Sequence, residues 1–201
     1  MHLIIMKKIS VLFVCLGNIC RSPAAEALFI KKIQEKQIED RFLVDSAGTG
    51  SWHVGKKSDY RMRLAAKNRK IDITSKARQI NKNDFQQFNY ILTMDDSNYK
   101  NVMSLKNREP YSDNCTVKKI QEFANSFHEK EVPDPYFGGE EGFDYVLDIL
   151  TDSVSGFLDH IFKIIFNFFW DFFIEYLYNF ICNLLSCIII CNNFCSIFCF
   201  Y

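Results

Sequence analysis

Charge of one sign is what this chain lacks: 24 Lys and Arg balance 24 Asp and Glu. A formal net charge of zero gives no electrostatic reason to invoke nucleic acid or an anionic membrane surface as a partner. Histidine is scarce, with four in 201 residues, and no Cys/His grouping has zinc-site spacing, so no metal is expected. Cysteine is also scarce over most of the length. Of eight, Cys182, Cys187, Cys191, Cys195 and Cys199 crowd into the last twenty residues, leaving Cys15, Cys20 and Cys115 for all the rest. That distribution argues against a disulfide scaffold and fits a reducing compartment, the cytoplasm. Lys7-Lys8 before Ile9–Leu16 has the charge-then-apolar order of a secretory leader. The apolar run is short for one, and cleavage near Gly17 would remove the loop that carries the chemistry, so that reading is rejected. Residues before Met6 are read as dispensable, with Met6 an alternative start.

The end of the chain has its own absences. Residues 161–201 contain no Gly, Ala, Val, Pro, Arg, Gln, Thr or His, and no charge follows Glu175. The uncharged stretch is long enough for a membrane span of roughly 20 residues. Against that, Asn179, Asn183, Asn192 and Asn193 would be costly in lipid, and no Lys or Arg closely flanks the segment. The residues used are also those of thymine-rich codons. Three readings stay open for 161–201: a tail anchor, an extra core helix, or a frame-shifted extension. Membrane association is expected only through this tail.

What is present is one chemically loaded stretch, Val14-Cys15-Leu16-Gly17-Asn18-Ile19-Cys20-Arg21-Ser22-Pro23. Upstream, Ile9–Val14 is β-branched and almost continuously apolar, as in a strand buried on both faces of a parallel sheet. Downstream, Pro23 suits a first helical turn, and Ala24, Ala25, Glu26, Ala27 and Leu28 are good helix formers. The segment reads strand, loop, helix. A loop curling into a helix N-terminus gathers unpaired N–H groups and the positive end of the macrodipole, which makes an anion cradle. Gly17 and Asn18 tolerate the left-handed backbone such a nest needs. Into that field the sequence places Cys15 and Arg21. A thiol so placed is expected to favour its thiolate. The Arg21 fork can grip two phosphoryl oxygens, and Ser22 can donate a hydrogen bond to the sulfur.

Cys15-Leu-Gly-Asn-Ile-Cys-Arg-Ser22, followed by Pro23, closely resembles the signature of the low-molecular-weight protein tyrosine phosphatases. Asp134-Pro135-Tyr136 resembles that family's general-acid segment. The resemblance runs from Lys8 to about His160. It implies a doubly wound α/β fold with a four-stranded parallel sheet, order 2-1-3-4, and helices on both faces. Residues 1–160 would be the phosphatase-like domain and 161–201 an appended hydrophobic tail. The implied reaction is hydrolysis of phosphotyrosine, in a protein or a small aryl phosphate, through a phosphocysteine and with no cofactor. Cys15 would be the nucleophile, Arg21 the phosphate clamp and Asp134 the acid. Leu16, Gly17, Asn18, Ile19, Cys20 and Ser22 would line the phosphate site, with Trp52 and Tyr136 as aromatic walls. Ser46 is similar to a family serine that stiffens the loop by bonding Asn18. Phe137 stands where the family often has a second tyrosine. In similar proteins Cys20 and Cys15 form a reversible disulfide. Rival readings are a thiol-dependent arsenate reductase, which needs a relay of further cysteines, an arginine phosphatase, whose members carry threonine where Ile19 stands, and a non-enzymatic membrane-tethered phosphate reader.

Elsewhere the pattern predicts a helix from Pro23 to about Lys36, a strand over Arg41–Ser46 and a glycine-rich loop over Ala47–Gly55. A basic helix spans Asp59–Arg69 with Tyr60, Leu64 and Ala65 inward, and Asn81 is a cap for a short helix reaching Phe88. A third strand covers Asn89–Met94. Asp95 and Asp96 are read as helix-start residues for a helix to about Leu105. A polar loop follows over Lys106–Thr116, then a weakly signalled strand over Val117–Phe123. Cys115 is read as an inert thiol, and His53 and His128 as solvated surface. Phe143–His160 is an amphipathic helix.

Overall fold

The computed structural model describes residues 8–107, 115–137, 139, 141–167 and 170. The Met6 start, the polar residues Pro110, Asp113 and Asn114, and the tail beyond 170 lie outside the described residues. Contacts divide the chain into two compact units, Met1–Leu158 and Asp159–Tyr201. In the second, residues 159–167 are helical and Phe166 stacks on Trp170. Among the described residues no helix is long and apolar enough to cross a membrane.

The apolar run near the N-terminus becomes β1 (Ile9–Cys15), and its place explains its composition. Four parallel strands lie in the order β2-β1-β3-β4, with β2 at Phe42–Gly48, β3 at Tyr90–Thr93 and β4 at Thr116–Lys119. A central strand presents alternate side chains to opposite faces, and both must be apolar if both are covered. Val11, Leu12, Phe13 and Val14 are all fully buried. Toward one face, Phe13 meets Phe29 of α1 (Arg21–Glu35), and Phe29 meets Phe157 of α5, helical residues 141–158. Toward the other, Leu12 and Val14 join Phe85 of α3 (Asp84–Gln87) and Val102 of α4 (Asp96–Lys106) in one cluster. Helices therefore cover both faces, as the resemblance implied.

Several boundaries move from their expected places. Arg41 closes a 3₁₀ turn, and β2 runs on to Gly48, taking the first part of the expected glycine-rich loop into the sheet. β4 stops at Lys119, and Ile120–Phe123 turns into a 3₁₀ helix closed by Glu122, whose carboxylate accepts from the Lys119 N–H at 3.0 Å. The α2 helix (Tyr60–Asn68) buries only Ala65 of the side assigned to it. Tyr60 and Leu64 are exposed, while Met62, Ala65 and Ala66 are buried. Asn81 does not cap α3, whose N-cap is Asn83; its Oδ1 accepts from the Asn83 N–H one turn earlier.

Gly156 in α5 is fixed by packing. A Cβ there would fall well inside contact distance of the Phe123 carbonyl oxygen, which cannot swing away as a side-chain tip can. Gly156→Ala is expected to lower stability by roughly 1–3 kcal/mol, the range for overpacking a filled core. Thermal unfolding checks it, with a fall in midpoint of about 2–4 °C per kcal/mol expected for a chain of this size.

Candidate active site

The strand β1 ends at Cys15, and α1 begins at Arg21, so the intervening loop lies over the helix N-terminus at the carboxyl edge of the sheet. This is where open α/β sheets place ligands. Asn18 alone in the loop takes the left-handed conformation, at φ 55°. Gly17 does not, contrary to the sequence expectation. Its lack of a side chain answers crowding instead, since a Cβ would stand 3.0 Å from the His53 ring. Gly48 serves the same loop from β2, because a Cβ there would meet the Leu16 carbonyl oxygen at 2.9 Å. That close approach lets the Thr49 and Gly50 N–H groups donate to the carbonyls of Cys15 and Leu16 at 2.9 and 2.8 Å.

Asn18 is the hub of the loop. Its Nδ2 donates to Ser22 Oγ at 2.9 Å and to Ser46 Oγ at 2.8 Å, while its Oδ1 accepts from the Arg78 N–H at 2.9 Å. Ser46 then donates to the Glu26 carboxyl at 2.6 Å. At the centre, Cys15 Sγ accepts from the Asn18 N–H at 3.2 Å and lies 3.0 Å from Ser22 Oγ, where either atom can donate. The N–H groups of Gly17, Ile19 and Cys20 have no acceptor among the described residues, so they remain to meet an anion.

The Arg21 side chain is buried, and its fork is held from outside the loop. Nη1 donates to Asp95 Oδ2 at 2.7 Å and to the Val132 carbonyl at 3.0 Å, and Nη2 donates to Asp134 Oδ2 at 3.1 Å. Asp95 thus has two duties. Oδ1 caps α4 through the Asn98 N–H at 2.7 Å, as expected of a helix-start residue, and Oδ2 anchors the guanidinium, which sequence reasoning missed. Its only signal was a carboxylate at the carboxyl end of β3, on the same sheet edge as the loop. Asp134 keeps its other oxygen close by, accepting from the Tyr136 N–H at 3.1 Å.

A pocket of about 440 Å³ collects nearly all of the expected residues: Cys15, Leu16, Gly17, Ile19, Cys20, Arg21, Trp52, Asp134 and Tyr136. Asn18 and Ser22 stand behind the wall as supports. Cys15 is almost covered yet lines the floor, while Trp52 and Tyr136 are 60% and 56% exposed and form the upper walls. Two residues of the pocket were missed. His53, read as surface, reaches it beside Gly17, and Asp59 enters from the start of α2, where it caps that helix and pairs with Arg61. Arg61 in turn lies 5.1 Å from the centre of the Tyr136 ring, bracing that wall. Burial pushes the Cys20 thiol up to about 12, with Asp59, Cys15 and Asp134 adding to the effect. Burial likewise pushes Cys115 up to about 11, in the core cluster away from the pocket. Among the described residues, no group of His, Cys, Asp and Glu could hold a metal ion.

Glu26 at the far end of the Asn18 network has a raised pKa because it is buried; hydrogen bonds from Ser46 and Ser75 oppose that shift only in part. The folded chain therefore holds this proton more tightly than the unfolded one. Stability from the neutral carboxyl is complete below the ordinary value of 4.5 and is lost as pH rises from there through the raised value. Glu26→Gln keeps an acceptor for Ser46 and removes the titration. Thermal unfolding across acid to neutral pH is expected to show a decline in the wild type that the variant lacks.

The family described as low molecular weight phosphotyrosine protein phosphatase matches residues 10–164. A curated low molecular weight phosphotyrosine protein phosphatase of Schizosaccharomyces pombe is 42% identical over 156 residues, covering 77% of this chain and 98% of its own. Among solved structures, a protein tyrosine phosphatase from Entamoeba histolytica with Hepes in the active site superposes with a TM-score of 0.73. It is 41% identical, and the match covers 78% of this chain and 98% of that one. An arginine phosphatase of Drosophila matches with a TM-score of 0.71 at 32% identity, covering 75% of this chain and 96% of its own. The strand order, the loop closing on a helix N-terminus and these matches agree, and the chain belongs to the low molecular weight phosphotyrosine protein phosphatase family.

Proposed function

We propose that this protein tyrosine phosphatase hydrolyses phosphotyrosine esters with Cys15 as nucleophile, Arg21 as clamp and Asp134 as general acid. The observation that carries the assignment is their meeting in one pocket, with the sulfur at its floor and two aromatic walls above. An aryl phosphate fits that shape: the phosphoryl group against the free loop N–H groups and the ring between Trp52 and Tyr136.

In the first step the Cys15 sulfur attacks phosphorus. The S–P bond forms, the P–O bond to the ring breaks, and Asp134 delivers a proton to the departing phenolate oxygen. In the second, Asp134 takes a proton from water, which attacks the phosphocysteine; the S–P bond breaks and inorganic phosphate leaves. The transition state is loose and its charge lies on three equatorial oxygens, so preorganised donors supply most of the acceleration. The loop N–H groups and Arg21 are those donors. Nε–H of Arg21 has no acceptor among the described residues, and a bound phosphoryl group can take it together with the Nη2 donor now shared with Asp134.

Ile19 lines the pocket as an apolar side chain, which favours a tyrosyl ring over the polar guanidinium of phosphoarginine. An arsenate-reducing relay has no support from Cys115, which is buried in the core with a thiol pushed up to about 11. The substrate partner is therefore a phosphotyrosine-containing protein or a small aryl phosphate. Three free cysteines among the described residues support a reducing, cytoplasmic setting.

Single-turnover hydrolysis of a phosphotyrosine peptide, with phosphoarginine as the competing substrate, tests the reading. Cys15→Ser is expected to abolish turnover, and Asp134→Ala to slow phosphoenzyme formation by roughly 10²–10⁴-fold. That loss should shrink for leaving groups that need no proton. An Asp134→Ala enzyme equal to wild type with every leaving group would remove the acid, and preference for phosphoarginine would replace the substrate.

Cys20 lines the same pocket, which supports closure of a Cys15–Cys20 disulfide on oxidation. Peroxide would take Cys15 to the sulfenic acid with release of hydroxide, and Cys20 would then displace water. A resolving thiol pushed up to about 12 makes the second step slow. Under mild peroxide, sulfenic acid at Cys15 is expected to be trappable by dimedone before the disulfide appears by mass spectrometry.

A further inference from the structure

Beside the active-site pocket runs a larger groove of about 610 Å³, and the two share Leu16 and Trp52. Both side chains are exposed, at 41% and 60%, so they form a ridge between the cavities. The Trp52 ring lies over Gly50, in the space a Cβ there would fill. A ring held over Cys15 against Trp52 thus has its main chain at the lip of the second groove.

The groove differs in chemistry from the pocket it adjoins. Its floor is apolar, with Ile80 buried and Leu105 packed against the core. Its rims carry side-chain amides, Gln79 and Asn81 on one side and Asn101 of α4 on the other. An amide offers one donor and one acceptor group, which suits a peptide backbone. The Asn101 amide makes no hydrogen bond among the described residues. Thr49 Oγ1, also in the lining, is buried and unsatisfied. Among the described residues, the charged side chain that lines the groove is Lys82.

We propose that this groove is a substrate subsite that takes the polypeptide flanking the phosphotyrosine, with preference for an uncharged or acidic segment over a basic one. The proposal rests on the phosphatase reading and extends it from an aryl phosphate to a protein substrate. Contacts remote from the reacting atoms can lower the barrier without touching them, so the effect belongs in kcat/KM for peptides and not for small esters.

The test uses the full chain with p-nitrophenyl phosphate and two phosphotyrosine peptides, one with acidic and one with basic flanking residues. Ser104, exposed on α4 and facing the groove, is replaced by Trp to fill it. Wild type is expected to favour the acidic peptide. Ser104→Trp is expected to lower kcat/KM for it by about tenfold, the equivalent of one or two hydrogen bonds with some apolar contact. Turnover of p-nitrophenyl phosphate, changed less than twofold, shows the variant to be folded. Lys82→Glu is expected to reverse the order of the two peptides. Equal losses on ester and peptides, or peptide values that neither variant alters, would overturn the subsite while leaving the phosphatase intact. A wild type that hydrolyses no aryl phosphate would overturn the phosphatase reading, and the subsite with it.

Discussion

A short loop must hold several N–H groups pointing at one empty volume, although each would prefer a partner. Asn18 makes that arrangement stable. Its left-handed backbone turns the loop, and its side chain ties the turn to β2 through Ser46, to α1 through Ser22 and to the segment after α2 through the Arg78 N–H. Alanine at this position would leave Ser22, Ser46 and the Arg78 N–H short of a partner together. Such a network counts for more than its separate bonds because each member fixes the geometry of the next. The consequence for chemistry is preorganisation: donors already aimed need not reorganise as charge develops.

Legibility from sequence followed locality. The loop, the strand before it and the helix after it lie within one run, and period and residue type were enough to order them. Strand order came from resemblance, since four short apolar runs do not say which neighbours which. Trp52 and Tyr136, proposed as aromatic walls, and Asp134, proposed as the acid, were singled out by type and segment, and they line one pocket with Cys15. What escaped was long-range pairing. Asp95 anchors Arg21 across 74 positions, and nothing near Asp95 in sequence distinguishes that duty from capping α4. Glu26 was read only as a helix former, although burial on the inner side of α1 makes it the end of the Asn18 network. The inward face of α2 was misjudged in part: Ala65 is buried as expected, but Met62 and Ala66 are buried with it, and Tyr60 and Leu64 are turned out.

Glycine shows the same split between local and distant causes. Gly17 looked like a conformational requirement and is a steric one, set by His53 far along the chain. Gly48 was read as part of a glycine-rich loop and instead ends β2, where a side chain would push the strand away from the Leu16 carbonyl and break the two backbone bonds that seat the loop.

The two carboxylates on Arg21 are unequal, and the inequality separates scaffold from machinery. The Arg21–Asp95 pair is nearly closed to water, with side chains 5% and 16% exposed; removing one member of such a pair costs about 3–5 kcal/mol because a buried charge is left alone. The Asp134 side chain is 38% exposed, its contact with Arg21 is longer at 3.1 Å, and solvent screening leaves such a pair about 0–1 kcal/mol. An arriving phosphoryl group carries more charge than one carboxylate and meets the loop N–H groups as well. It therefore displaces Asp134 from Nη2 far more readily than Asp95 from Nη1. Displacement frees Asp134 while it remains beside the substrate, tethered by the Tyr136 N–H, at the position from which a leaving oxygen can be protonated. One guanidinium is thus held on its buried side and exchangeable on its open side, and in the proposed mechanism that exchange readies Asp134 as the acid.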